Sequence, residues 1–186
     1  MQELNYLQRF FGHLKTINRH RYLVMTTCFK CGMYKQGLLH DLSKYSPEEF
    51  FSSVKYFQGF RSPIGKEKEV LGYSNCYLHH KGRNKHHWEY WIDRKPKSIE
   101  LYVFPMPYRY MLESVIDRIS ASKTYKKNEY TDEEPYNFFI NSKERSVMNP
   151  KTADQLEELL LYLKENGEEK ALKYYKSLYK QNKNLL

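Results

Sequence analysis

Apolar residues recur along this chain at intervals of three and four, and strand-like alternation is almost absent, so the pattern predicts helices throughout. Leu4, Leu7, Phe10, Phe11 and Leu14 mark an opening helix, and a second is expected over about residues 18–35. Gly37-Leu38-Leu39-His40-Asp41 ends a short apolar turn of helix. Ser46-Pro47-Glu48-Glu49 reads as a helix start, with serine as the cap, proline in the first turn and glutamate three residues beyond the cap. That helix carries Phe50, Phe51, Val54 and Phe57 and stops near Gly59. A loop at 61–65 leads into a helix expected over 66–80, then the polar turn Lys81-Gly82-Arg83-Asn84 and an aromatic segment at 86–91. Residues 96–107 look irregular, and Pro105 and Pro107 precede a helix whose core face holds Tyr110, Met111, Ser114, Val115, Ile119 and Ser122. Thr131-Asp132-Glu133-Glu134 is expected to cap a short helix at 136–141, and Thr152-Ala153-Asp154-Gln155 to form a capping box before Leu156, Leu159, Leu160 and Leu163. Gly167 is a helix stop, with one more amphipathic helix over 168–183. No internal repeat or boundary divides residues 1–186, and the expectation is one all-α domain.

Composition narrows the class. A chain of 186 residues can bury a core as one domain, and 40% hydrophobic with 16% aromatic residues excludes a disordered chain. The 18 tyrosines suit helix faces half inside the core, with the phenol tip left wet. No apolar run approaches the roughly 18–20 residues of a membrane span, so no membrane partner is expected. The N-terminus has an early glutamate, Glu3, and lacks the apolar stretch and cleavage site of a secretory signal. An odd count of three cysteines argues for a reducing compartment, and the expected location is cytoplasmic. Cys28 and Cys31 lie inside an apolar helical run, where buried thiols are the better reading than a redox pair or half of a zinc site. A net charge of +9 favours anionic partners: nucleotides, phosphorylated metabolites or nucleic acid. Charge runs are also what an ordinary solvated surface presents. Without a helix-turn-helix or RNA-binding sheet signature, a nucleic-acid-binding regulator is the less favoured alternative.

The histidines change the picture most. All seven, at 13, 20, 40, 79, 80, 86 and 87, fall in the first 87 residues. Neutral imidazoles hold divalent transition metals well, and a carboxylate adds negative charge and can bridge two ions. Two such ions can generate hydroxide from water and neutralise a phosphate. His40-Asp41 is the central pair, because neighbours at an unwinding helix end can both face one ion. Lys44 follows in the next turn, placed to reach an anionic ligand. His13 has no motif around it and reads as an ordinary surface or core histidine.

The stretch from His20-Arg21-Tyr22-Leu23-Val24 to Gly37-Leu38-Leu39-His40-Asp41-Leu42-Ser43-Lys44 resembles the opening of the HD-domain superfamily, and Asp117 fits the aspartate with which that family closes its site. The histidine-rich block His79-His80…His86-His87-Trp88-Glu89 is similar to one in an uncharacterised bacterial and phage subgroup of HD-like proteins. The resemblance covers about residues 15–125, and the helices at about 150–183 add no family chemistry. It implies an all-α bundle of the HD type and a metal-dependent phosphohydrolase. One ion would be held by His20, His40, Asp41 and Asp117, with Asp41 bridging to a second. For that second ion His80 with His86 or His87 is favoured; His79 competes, since adjacent helical residues point about 100° apart. One or two ions are expected, of Mn, Fe, Mg, Co or Zn. Asp117 could instead be an aspartate paired with Arg118 or Arg109, and one or two of the clustered histidines could serve as supports or phosphate contacts. Asp41 and Lys44 would stand at the chemistry, with Lys44, Arg83, Asn84 and Lys123 as candidate phosphate contacts. Glu89 would either orient a ligand histidine or be solvated, and Trp88, Tyr90 and Trp91 read as core or wall. The leading function is hydrolysis of a phosphate ester in a nucleotide or small phosphorylated metabolite. Some relatives with this ligand set hold two irons and use dioxygen, which is the alternative chemistry.

Overall fold

One continuous helix, α1 (Tyr6–Lys30), takes up both of the first two apolar segments. The junction between them contains neither proline nor glycine, so nothing breaks the hydrogen-bond ladder, and the expected pair of helices is corrected to one of 25 residues. The computed structural model describes residues 4–182, and Asn5 with Gln8 closes a reciprocal capping box at the start of α1. The buried stripe of α1 is His13, Ile17, His20, Val24, Thr27 and Cys28, spaced by three and four. Two imidazoles therefore occupy positions that an ordinary core helix gives to leucine. Leu7 and Phe11, which helped to mark the opening helix, face outward.

After Gly32, whose φ of +79° only glycine adopts cheaply, α2 (Tyr34–Leu39) folds back on α1. Gly37 makes the close approach: a Cβ there would lie 3.0 Å from Cys28 Cβ and 3.1 Å from the Met25 carbonyl oxygen. Arg21 then pins the end of α2, its Nε donating to the His40 carbonyl at 2.9 Å and its Nη2 to the Leu38 carbonyl at 3.1 Å. The α3 helix (Pro47–Tyr56) starts as expected, with Ser46 Oγ accepting from the Glu49 N–H, although Phe51 on it is exposed. The single helix expected over 66–80 is two. The first, α4 (Pro63–Leu71), stops at Gly72 with φ +81°, and α5 (Asn75–Lys81) restarts where Ser74 Oγ accepts from the Tyr77 N–H. Buried Glu67 ties these pieces together, accepting from Ser52 Oγ at 2.8 Å, from Ser74 Oγ and from the Cys76 N–H.

The segment expected to be irregular holds a short strand, β2 (Leu101–Val103), which pairs antiparallel with β1 (Ile92–Arg94) just before that segment, Ile92 opposite Val103. Then comes α6 (Tyr108–Lys126), buried on several sides rather than on one face, which makes it the central helix. Around it pack α7 (Glu134–Ser142), α8 (Pro150–Asn166) and α9 (Glu168–Asn182). Two expected caps move. Asn149 caps α8 ahead of Pro150, leaving Thr152 buried with its Oγ1 accepting from the Met106 N–H. Asp132 accepts from the Glu168 N–H at the start of α9, after the Gly167 stop, instead of capping α7. The main apolar cluster draws on α1, α6, α7, α8 and α9, with Cys28 and Cys31 buried in it as free thiols. A smaller cluster joins Ile17 to Phe50 and Val54 of α3. His20 lies on α1 between Ile17 of one cluster and Val24 of the other. The expected all-α domain is what the chain forms, and among the described residues no helix is long and apolar enough to cross a membrane.

Candidate metal centre

The α2 helix ends abruptly. His40 is extended at φ −52°, ψ 128°, and Asp41 is left-handed at φ 53°, ψ 27°, a conformation that aspartate tolerates better than most residues. Both side chains are buried. His40 Nε2 lies 3.4 Å from His20 Nε2, 3.4 Å from Asp41 Oδ2 and 3.5 Å from Asp117 Oδ1. His20 Nε2 lies 3.5 Å from Asp41 Oδ2 and 3.0 Å from Asp117 Oδ1. Two ligands about 2.0–2.1 Å from a shared ion at a tetrahedral angle stand about 3.3–3.4 Å apart, so these separations are compatible with a shared metal ion. The four residues came together from α1, the end of α2 and the middle of α6.

A second group shares Asp41. Its other oxygen, Oδ1, is 3.3 Å from His80 Nε2 and 3.4 Å from His86 Nε2, and His87 completes a set whose donor atoms all lie within 4.8 Å of one another. Asp41 Oδ1, His86 Nε2 and His87 Nε2 are buried and make no hydrogen bond. A buried polar atom without a partner costs about 1–3 kcal/mol, and three converging on one place fit a cation that would engage them all. The donors, five imidazoles and two carboxylates across both groups, suit a transition metal better than calcium.

Carboxylates hold the rings from behind. Glu113 Oε1 accepts from His40 Nδ1 at 2.9 Å and lies 3.3 Å from His86 Nδ1, leaving both Nε2 atoms for the shared face. The Glu113, His40 and His86 cluster is therefore this support, not a third donor set. Glu49 does the same from α3, accepting from His80 Nδ1 at 2.8 Å and from His79 Nδ1 at 2.6 Å. Of the two adjacent histidines, His80 faces Asp41, while His79 donates to Glu49.

Charge follows this geometry. Burial by itself would lower His40, but Asp41, Asp117 and Glu113 outweigh it and hold its pKa well above that of free imidazole. Likewise His20 is lowered by burial and raised further by Asp117 and Asp41. In the other group burial wins. His80 is lowered by burial and Lys44, and His87 lies well below the usual range through burial and the neighbouring His86 and His80. Burial would raise Asp41, but His40, Lys44 and His80 hold it well below the usual carboxylate range. Lys44 Nζ stands 3.4 Å from Asp41 Oδ2. These residues border a cavity of about 170 Å³ that includes His20, Asp41, Lys44, His80, His87 and Asp117 in its wall.

All the expected ligands thus converge, with both His86 and His87 beside His80, and Asp117 is not engaged as an ion-pair partner of Arg118, which pairs with Glu144. The outer phosphate contacts do not converge. Asn84 is buried, donating to Ser43 Oγ and to the His80 carbonyl, each at 2.8 Å, so it closes the end of α5. Arg83 is exposed and reaches back to the His79 carbonyl. Lys123 pairs with Glu168 and lies over the Tyr130 ring, away from the donors. Glu89 accepts from Tyr77 OH at 2.6 Å, not from a ligand histidine. Glu49 and Glu113 were not among the expected site residues. The position of Glu113, one turn before Asp117 on α6, is the signal that could have found it.

A family model described as a family of unknown function, DUF5662, matches residues 9–161, a span that includes every donor above. No curated protein and no solved structure matches the chain.

Proposed function

Since the chain belongs to the DUF5662 family, whose function is unknown, we propose from its donor geometry that it is a metal-dependent phosphohydrolase of the HD type acting on a small phosphorylated molecule. One observation carries the reading: the two oxygens of Asp41 are divided between two adjoining donor groups, Oδ2 toward His20 and His40, Oδ1 toward His80 and His86. His20, His40, Asp41 and Asp117 would hold one divalent ion, and Asp41, His80, His86 and His87 the other. Such ions would lower the pKa of water and offset charge on phosphate oxygens. Glu113 and Glu49 fix the tautomers, keeping protons on Nδ1 and lone pairs on Nε2. Lys44, on the cavity wall, would hold a non-bridging phosphate oxygen and stabilise charge that grows there during attack on phosphorus. Water would add to phosphorus as it gives up a proton, the ester P–O bond would break, and the departing oxygen would take up a proton in exchange, leaving phosphate and an alcohol. The excess of basic residues favours an anionic substrate.

The test is to purify the protein, quantify bound metal, and screen phosphate esters with Mn²⁺, Mg²⁺, Co²⁺ or Fe²⁺. Metal-dependent release of phosphate is expected; a metal-loaded protein that turns over none of them defeats the reading. The imidazole-rich donor set also favours a second reading, a two-iron enzyme that oxidises its substrate with dioxygen. Dioxygen uptake and near-ultraviolet absorption of the iron-loaded protein would distinguish it.

A further inference from the structure

The cavity beside the donors is small and chemically graded. Its volume of about 170 Å³ is below the range of roughly 300–1,000 Å³ for pockets that bury drug-sized ligands, and a nucleotide is of that larger class. Lys44 is the one lysine or arginine among the described residues of its wall. Much of the remainder is apolar, including Ile17, Pro63 and Ile64. His13 lines it too, on the same buried stripe of α1 as His20 and seven residues earlier, which is about 10.5 Å along the helix axis. That distance bounds the reach from the metal donors to a polar group at the other end.

His13 is only 4% exposed, and its Nδ1 makes no hydrogen bond. Of the hydroxyls on this wall, Thr16 Oγ1 donates to the Gly12 carbonyl, Tyr77 OH donates to Glu89, and Ser53 Oγ meets Cys76 Sγ at 3.2 Å. Phe50 and Phe57 hold the His13 ring, with centroids 5.2 and 5.9 Å away. Burial first, and Lys44 second, lower its pKa to about 4, so the ring offers a neutral hydrogen-bonding edge and no charge. Asp41 Oδ1 and His87 Nε2 on this wall belong to the donor groups, whereas His13 Nδ1 stands apart from them without a partner and has the chemistry of a substrate contact.

Resting on the phosphohydrolase reading, we propose that the cavity selects a small phosphomonoester whose short alcohol part carries a second hydroxyl, received by His13, and that it excludes nucleotides. The probes are the phosphates of ethylene glycol, glycerol and erythritol, each beside the alkyl phosphate of equal length that lacks the extra hydroxyls, and a set of nucleoside monophosphates. With the metal-loaded protein, kcat/KM should favour a polyol phosphate over its alkyl counterpart about tenfold, and over any nucleoside monophosphate by more. His13→Phe keeps the aromatic packing and removes the nitrogens. With metal content retained, it should reduce the polyol-to-alkyl preference about tenfold, chiefly through KM, as expected for one lost buried hydrogen bond. Nucleoside monophosphates turned over as fast as the small esters would overturn the proposal while leaving a phosphohydrolase in place. A preference unchanged in His13→Phe would overturn the role of His13. Phosphate release from no ester at all would remove both this proposal and the reading beneath it.

Discussion

Asp41 sits in a left-handed backbone conformation, which costs a non-glycine residue roughly 1–3 kcal/mol, and it does so to place one carboxylate between two donor groups. Asn adopts the same conformation readily but brings an amide where the two proposed ions would need a bridging charge. Asp41→Asn should therefore fold, lose at least one of two bound ions per chain in elemental analysis, and release phosphate roughly 100-fold or more slowly. Retention of two ions would show that Asp41 does not bridge. Glu113 acts at one remove, through the Nδ1 atoms of His40 and His86. Glu113→Gln should weaken metal affinity about 10–100-fold in chelator competition with little change in fold, and unchanged affinity would remove its supporting role. At this scale the sequence was legible where residue type is decisive, since four histidines within nine positions have few other uses. It was illegible where a cheaper role sufficed: Glu49 already fits as the third residue of a capped helix, and only the packing of α3 on α5 shows that it holds His79 and His80. Lys123 shows the reverse failure. Six residues beyond Asp117 is about 240° around a helix, so periodicity alone could have set it aside.

Elements bring the donors together, and the tightest constraint is the seat of α2 on α1. A Cβ on Gly37 would meet Cys28 Cβ, Phe29 Cε1 and the Met25 carbonyl oxygen at 3.0–3.1 Å, and a helix carbonyl cannot move aside as a flexible side chain would. Gly37→Ala should push α2 outward and cost about 1–3 kcal/mol, read as a lower denaturant midpoint. Because His40 and Asp41 follow directly, metal affinity should fall with it; full affinity in the variant would mean that the seat of α2 does not set the site. The helices themselves were largely readable from periodicity and caps, as the Ser46 start and the Gly167 stop show. The errors have local causes. Nothing in residues 15–18 breaks a helix, so α1 runs through, whereas Gly72 and Ser74 supply a stop and a new cap inside what periodicity joined into one helix. At Thr152, a capping pattern lost to Asn149-Pro150 three residues upstream, because the threonine hydroxyl was needed by the buried Met106 N–H.

For the molecule as a whole, the centre lies where the two apolar clusters meet along α1, so its charge state bears on the stability of the entire fold. Without metal, Asp41, Asp117, Glu113 and Glu49 must be balanced by protons on nearby histidines. Burial disfavours those protons, yet Asp117 and Asp41 raise His20, and the same carboxylates with Glu113 raise His40, above the free value of 6.5. A raised histidine contributes stability that is fully present below about pH 6.5 and lost as pH rises through the raised value. His13, His80 and His87, lowered by burial, act in the opposite sense below about pH 7. The metal-free protein should therefore weaken as pH rises from about 7.5 to 9, where of these histidines only the raised pair still titrates. Bound cations replace those protons with charge that does not titrate away, and their binding tightens as imidazoles deprotonate. At free metal 100–1,000 times Kd, the gain is about 3–4 kcal/mol, which for a chain of this size is on the order of 10 °C in Tm. Calorimetry of chelator-treated and metal-loaded protein should thus show a Tm gap that widens between pH 6 and pH 8.5. A gap that narrows over this range would mean that protons at His20 and His40 are not what the metal displaces, and that the ions bind somewhere other than between these carboxylates.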